Sequence, residues 1–257
     1  MTKSEAEIAL SQVTEKPAAQ GGKSMPETRW SLVQKVKEQD DQKAKVALGE
    51  LMKIYWDPLR AFALGRGESL SDVDDAVQGF YEMLITRGSM LTVNQDRGRL
   101  RSFLRASFER YLIDQWDKRS AAKRGGGRHH LSLEQEEEEH HQIKELSHDM
   151  TPERIFERRW VLTLLARVME ALRANYASRG KEDIYEALKG ALEWQSTDFS
   201  YAEAGGKIGM NENAVKQAVF RMRKKFGELL RWEVAETVSD PADVDAELRE
   251  LLNALGN

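Results

Sequence analysis

Asn213, Gln217, Phe220 and Lys224 fall at helical spacing within SYAEAGGKIGMNENAVKQAVFRMRKK, the segment from Ser200 to Lys225. Their chemistry suits the major groove, where Asn213 and Gln217 can pair with adenine edges while Lys216, Arg221, Arg223 and Lys225 flank them with cations for phosphates. Val215, Val219, Met222 and Phe226 recur on the opposite side and make a core face. The preceding residues supply what must position this face. Tyr201 to Ile208 reads as a short helix, Gly209 as the left-handed residue that ends it, and Asn211 as the cap of the next helix. This is the pattern of a helix-turn-helix, and it points to DNA. A helical hairpin with a solvated basic face is the plain alternative. Gly205 suits a close crossing of the two helices, whereas Gly206 costs about 1 kcal/mol relative to alanine without a visible reason.

A second constellation lies on a helix expected from about Leu100 to Lys118. Arg101, Arg105, Arg110, Lys118 and Arg119 alternate with Phe103, Phe108, Tyr111 and Trp116. Cations for phosphates mixed with rings for bases is the composition of single-strand binding surfaces. Leu104, Phe108, Tyr111 and Leu112 near one face also fit an ordinary amphipathic helix with an arginine-rich wet side. Before it, Val73, Ala76, Val77, Phe80, Tyr81 and Leu84 form an apolar stripe after a Ser71 cap, which leaves Asp72, Asp75 and Gln78 to face outward.

The elements that carry these groups are helical throughout, and the predicted fold is all-α. In 257 residues, 32% charged residues against 40% hydrophobic ones favour two small domains over one large core. Cysteine is absent, no apolar run is long enough to span a bilayer, and MTKSEAEIALSQ lacks the order of a signal peptide, so the expected location is the cytoplasm. The net charge of −4 hides a segregation, with residues 97–128 and 216–231 basic and 134–139 acidic.

Residues 1–25 read as a disordered arm, 26–124 as a first helical domain, 125–150 as a flexible polar linker, 151–234 as a second domain, and 235–257 as an extension. In the first domain Trp30, Val33 and Val36 mark one helical segment, and Val46, Leu51, Ile54 and Tyr55 a second. Pro58 is expected to start a new helix capped by Asp57 and closed by Gly65 and Gly67. The linker holds all five histidines and the run Glu136 to Glu139, without a finger-like spacing, so no metal or cofactor is expected. Thr151 and Pro152 open a long helix carrying Ile155, Phe156, Trp160, Leu164, Val168 and Leu172, and Ile184, Leu188 and Leu192 mark a shorter one. Asp240 and Pro241 start a last helix.

With these parts in order, the chain resembles the bacterial sigma factors of the extracytoplasmic-function type, two helical domains joined by a linker. Asp72, Asp75, Val77 and Gln78 in DVDDAVQGFYEML fall on that family's acidic helix, and Ser200, Tyr201, Glu203, Gly209, Glu212, Val215, Lys216 and Arg221 on its helix-turn-helix. The resemblance covers Thr28 to Trp232. It implies binding to core RNA polymerase through Asp72, Asp75 and Gln78. It also implies capture of the melted minus-10 element by the helix carrying Arg101, Phe103, Arg105, Phe108, Arg110, Trp116, Lys118 and Arg119. Reading of duplex minus-35 promoter DNA falls to Asn211, Asn213, Lys216, Gln217, Phe220, Arg221 and Lys224. An anti-sigma factor or other regulator is a further implied partner, and no membrane is. The carboxylate run from Glu134 to Glu139 would then mimic nucleic acid in the polymerase's RNA exit path. Gly79, in place of a usual glutamate, and Glu109 and Arg110, in place of a basic residue and asparagine, depart from the pattern, as does the extension, which would cap the second domain or receive a regulator.

Two other readings fit parts of the chain. A free-standing helix-turn-helix regulator would bind paired half-sites as a dimer, leaving the acidic helix in need of another partner. A metal-dependent nuclease would use Asp72, Asp74, Asp75 and Glu82, but helical spacing turns Asp74 away from the others, and no enzyme is expected.

Overall fold

The computed structural model describes residues 32–33, 35–36, 41–86, 99–123, 150–192, 199–238 and 240–255. Every regular element among them is helical. In chain order these are α1 (Asp41–Gly65), α2 (Leu70–Thr86), α3 (Leu100–Lys123), α4 (Pro152–Ala177), α5 (Glu182–Leu188) with a 3₁₀ turn at Lys189–Leu192, α6 (Tyr201–Ile208), α7 (Glu212–Ala235), and α8 (Val244–Leu255) after a 3₁₀ turn at Pro241–Asp243. No helix among the described residues is long and apolar enough to cross a membrane. The arm, the linker with its histidines and Glu136 to Glu139, and most of the segment between α2 and α3 lie outside the described residues.

Contacts divide the described chain into two compact units, one of residues 32–164 with 234–255, the other of residues 165–233. The division therefore falls within α4 and not at Thr151. The physical reason is the stripe of α4 itself, because Ile155, Phe156 and Trp160 are buried in the first unit and Phe156 meets Phe62 edge-on at 6.3 Å. Gly65 lets α4 approach, since a Cβ there would stand 3.0 Å from Ile155 and 3.5 Å from the Pro152 backbone. The described residues of 234–255 belong to this same unit.

In the first unit α1 runs unbroken through Pro58, where a fresh start was expected. Proline removes one backbone donor and usually kinks a helix. Leu51, Ile54, Tyr55, Leu59 and Phe62 are all buried around it, and that burial outweighs the local cost. The helix α2 starts at Leu70, one residue before the expected cap Ser71, because the Ser69 carbonyl already accepts from Asp72 and Val73. It buries Val73, Val77, Phe80, Tyr81 and Leu84, as the stripe predicts. Phe80 and Phe108 meet at 5.0 Å and Phe62 and Phe108 at 6.2 Å, so an aromatic cluster joins α1, α2 and α3.

The second unit closes around Leu172, Tyr185, Leu188, Ala204, Val215, Val219 and Met222. The α5 segment ends earlier than the apolar spacing suggests and tightens into the 3₁₀ turn that carries Leu192.

Candidate nucleic-acid interface

The helices α6 and α7 are held at their junction by a chain of local hydrogen bonds. The Ser200 hydroxyl accepts from the Glu203 N–H at 3.3 Å and fixes the start of α6. Gly209 ends it with φ of 66°, a left-handed conformation suited to glycine, and the Met210 N–H returns to the Gly205 carbonyl at 3.0 Å. The Asn211 side chain then accepts from the Ala214 N–H at 2.9 Å and starts α7. Gly205 is required by this turn, since a Cβ there would lie 2.4 Å from the Met210 carbonyl oxygen. Gly206 has open space around its Cβ position, and nothing in the structure explains it.

The core face of α7 buries Val215, Val219 and Met222 completely or nearly so, with Ala218 beside them. This leaves Asn213, Lys216, Gln217, Phe220, Arg221 and Lys224 exposed, and Phe220 keeps 51% of its surface open. Asn211 is exposed too, although its side-chain oxygen is committed to the cap. Lys216 is bridged to Glu212 at 2.6 Å and sits 5.8 Å from the Tyr201 ring centroid; the Glu212 hydrogen bond raises its pKa. Two of the flanking cations have other tasks. Arg223 donates to the Ala191 carbonyl at 3.0 Å, bracing α7 against the 3₁₀ turn, and Lys225 bridges Glu228 at 3.1 Å.

The α3 surface differs more from the sequence reading. Phe108 is fully buried in the aromatic cluster and stacks on Tyr111, so it is unavailable to a base. Arg101 is 4% exposed; it bridges Glu157 at 2.8 Å, pairs with Glu247 of α8, and lies over the Trp160 ring at 4.7 Å. Burial lowers its pKa below the ordinary guanidinium value, while Glu157 works in the opposite direction. Arg99 bridges Glu247 at 2.8 Å and Glu250 through both terminal nitrogens. Arg101 and Phe108 are thus internal supports of the first unit, not contacts for nucleic acid.

The remaining candidates on α3 are graded in their freedom. Arg105 faces Glu153 at 3.8 Å, and Arg119 bridges Glu68 at 2.6 Å and approaches Asp72 at 3.7 Å. The Glu68 hydrogen bond raises the Arg119 pKa. Arg110 is exposed and donates to the Ala106 carbonyl, Trp116 is 63% exposed, Lys118 is exposed, and Phe103 is half-buried. At about 100° per residue Phe103 and Arg110 share a side of the helix, and Trp116 stands about 120° round from Arg110. One continuous strip of rings and cations is therefore not what α3 presents.

On α2, Asp75 and Gln78 are exposed, with Gln78 donating to Glu82 at 3.0 Å, while Asp72 is half-buried beside Arg119. Asp74 bridges Arg60 at 3.0 Å and serves the packing of α1 on α2. Gly79 has a structural cause: a Cβ there would stand 2.3 Å from the Tyr111 hydroxyl.

Sequence reasoning missed Arg179 and Lys181, two exposed cations that flank Gly180 in the turn after α4 and share a cavity with α7. Their only sequence signal is a glycine with cations on both sides, which is common in turns. No known protein family, curated protein or solved structure matches the chain.

Proposed function

We propose that this chain acts as a two-domain sigma factor of the extracytoplasmic-function type, binding core RNA polymerase and directing it to promoters. The observation that carries this reading is the outward face of α7, where Asn213, Gln217 and Phe220 stand beside Lys216, Arg221 and Lys224 on a helix whose start is fixed by the Gly209 turn and the Asn211 cap. Asn213 and Gln217 would read minus-35 bases while the cations hold phosphates. Asp75 and Gln78, exposed on α2 over a buried stripe, supply the polymerase contact, with Asp72 at its edge. Capture of the opened minus-10 strand falls to what α3 leaves accessible: Phe103, Arg110, Trp116 and Lys118, with Arg105 and Arg119 exchanging glutamate partners for phosphates. Stacking of bases on rings, at about 1 to 3 kcal/mol per base, is of the size needed to offset unstacking.

Co-purification of the chain with core polymerase, followed by sequencing of the 5′ ends of transcripts made in vitro, tests the reading. The expected result is a stable complex and a set of starts sharing upstream elements at fixed spacing. Failure to bind core polymerase, combined with tight binding of the dimeric chain to paired half-sites, would replace it with the free-standing regulator.

A further inference from the structure

The unit of residues 165–233 contains a cavity of about 280 Å³ between the end of α4, the turn that follows it and α7. The turn contributes Arg179 and Lys181, the helix contributes Arg221, Lys224 and Lys225, and Tyr176 lies among them. Glu228 is the one carboxylate in the lining, and it is bridged to Lys225. Elsewhere in the unit Arg173, Lys189 and Lys216 each have a glutamate partner. Arg179, Lys181, Arg221 and Lys224 have none among the described residues, so the cavity concentrates positive charge that the fold does not neutralise.

A concave, cation-lined site focuses the field and draws anions. Tyr176 adds a neutral donor. Burial raises its pKa, with Arg221 and Arg179 pulling it the other way, and the phenol remains protonated at neutral pH. A water molecule's share of liquid volume is about 30 Å³, so the cavity has room for a phosphate group with its solvent.

The length of α7 indicates which anion this is. At 1.5 Å per residue, Lys224 lies about 16 Å along the axis from Asn213. A major groove is only about 12 Å wide. In a helix-turn-helix the N-terminal residues of the second helix contact the base edges, so with Asn213 and Gln217 on the bases Lys224 and the cavity beside it lie toward the flanking backbone.

Resting on the DNA reading above, we propose that this cavity seats phosphates of the duplex backbone flanking the minus-35 bases. Arg179 and Lys181 are its anchors from outside the helix-turn-helix. They extend the footprint beyond the bases that α7 contacts, and they act on every sequence alike.

The test uses the full chain, as wild type and as the double variant Arg179→Ala, Lys181→Ala. Fluorescence anisotropy follows binding to duplexes of increasing flank length cut from a promoter that the polymerase complex uses, over a range of salt. Both residues are exposed, so the circular dichroism of the variant should match wild type. Wild-type affinity should step up when the flanking phosphates are added. The variant should lack that step, keep its base preference, and show a salt slope shallower by about 1.8, at 0.9 per lost phosphate contact. An equal step and equal slopes in a folded variant would overturn the seat and leave the DNA reading standing. Absence of wild-type binding to any duplex, alone or with core polymerase, would remove both. A thermal-shift titration with pyrophosphate separates the remaining source: stabilisation of wild type but not the variant, with DNA slopes unchanged, would make this a site for a free phosphate and overturn the proposal.

Discussion

Arg101 of α3 and Glu247 of α8 form a buried ion pair, with the Glu247 side chain wholly out of solvent and the Arg101 side chain 4% exposed. Arg99 and Glu157 complete the cluster, and the Trp160 ring lies against the Arg101 guanidinium. Such a group holds only if each charge is met, because desolvation of a lone buried ion costs several kcal/mol. The cluster joins the last described helix to the middle of the first unit.

Glu247→Ala should therefore destabilise the first unit by about 3 kcal/mol, since it leaves Arg101 with only part of its compensation. Urea unfolding followed by tryptophan fluorescence measures this. Replacing both partners, as Arg101→Met with Glu247→Leu, should recover most of the loss, because the cost arises from the charge left behind. A double variant no better than the single one would show that packing geometry, not charge, dominates here.

On α7, Gln217→Ala should change which minus-35 bases are preferred, whereas Lys224→Ala should weaken all sequences equally and reduce the salt slope by about 0.9. Selection of bound sequences from a random pool reads the first effect and anisotropy over a salt series reads the second. Unchanged preference and slope in both variants would place the reading surface elsewhere.

The double substitution Asp75→Ala, Gln78→Ala should abolish binding to core polymerase with helix content intact, since both side chains are exposed on α2 and bury nothing. Size-exclusion co-elution with core enzyme is the readout. A folded double variant that still co-elutes removes these residues from the contact.

The paired glycines of α6 should respond oppositely to alanine. Gly205→Ala forces a methyl against the Met210 carbonyl and should cost about 1 to 3 kcal/mol. Gly206→Ala meets open space and should gain about 1 kcal/mol from helix propensity. Thermal melts decide it, and a destabilised Gly206→Ala would mean that the position is constrained by something other than its neighbours.

Acid should weaken the first unit. The hydrogen bond from Arg99 holds the Glu250 carboxyl below its usual range, and a backbone N–H does the same for Glu153. A carboxylate whose pKa is lower folded than unfolded contributes stability above the unfolded value, about 4.3 for glutamate, and loses it as pH falls through the folded value. The melting temperature of Glu250→Gln should thus depend less on pH below about 5 than that of wild type, by an amount equivalent to at most about 1 kcal/mol because the side chain is 52% exposed. Identical pH profiles would assign the acid sensitivity to other groups.

The helices and most of their buried faces are legible in the sequence because a 3.6-residue period is a local property. The α4 stripe from Ile155 to Leu172 and the α7 stripe from Val215 to Met222 are buried where the spacing puts them. The errors on α3 also follow from that period. Arg101 lies three residues before Leu104 on the stripe that continues through Phe108 and Leu112, so its position predicts burial even though its chemistry suggests phosphate. Glu247 likewise sits on the stripe with Val244, Leu248 and Leu251. Each charge was visible in a core position; that each is the other's partner depends on a tertiary contact that no local pattern encodes. Pro58 misled in the same way, since the burial that keeps α1 continuous comes from residues distant in sequence. Arg179 and Lys181 gave almost no signal because a cavity is a property of three elements together.

The bridge between Arg99 and Glu250 spans 151 positions of sequence, and this has a consequence during synthesis. A ribosome adding about 5 to 20 residues per second delivers Glu250 roughly 8 to 30 s after Arg99. Once Lys123 has been added α1, α2 and α3 are complete, yet Arg99 and Arg101 still lack the carboxylates of α8. Until α8 is made, Arg99 has neither of its carboxylate partners and Arg101 has only Glu157 of α4, so the charge balance of this cluster is the last part of the first unit to be completed.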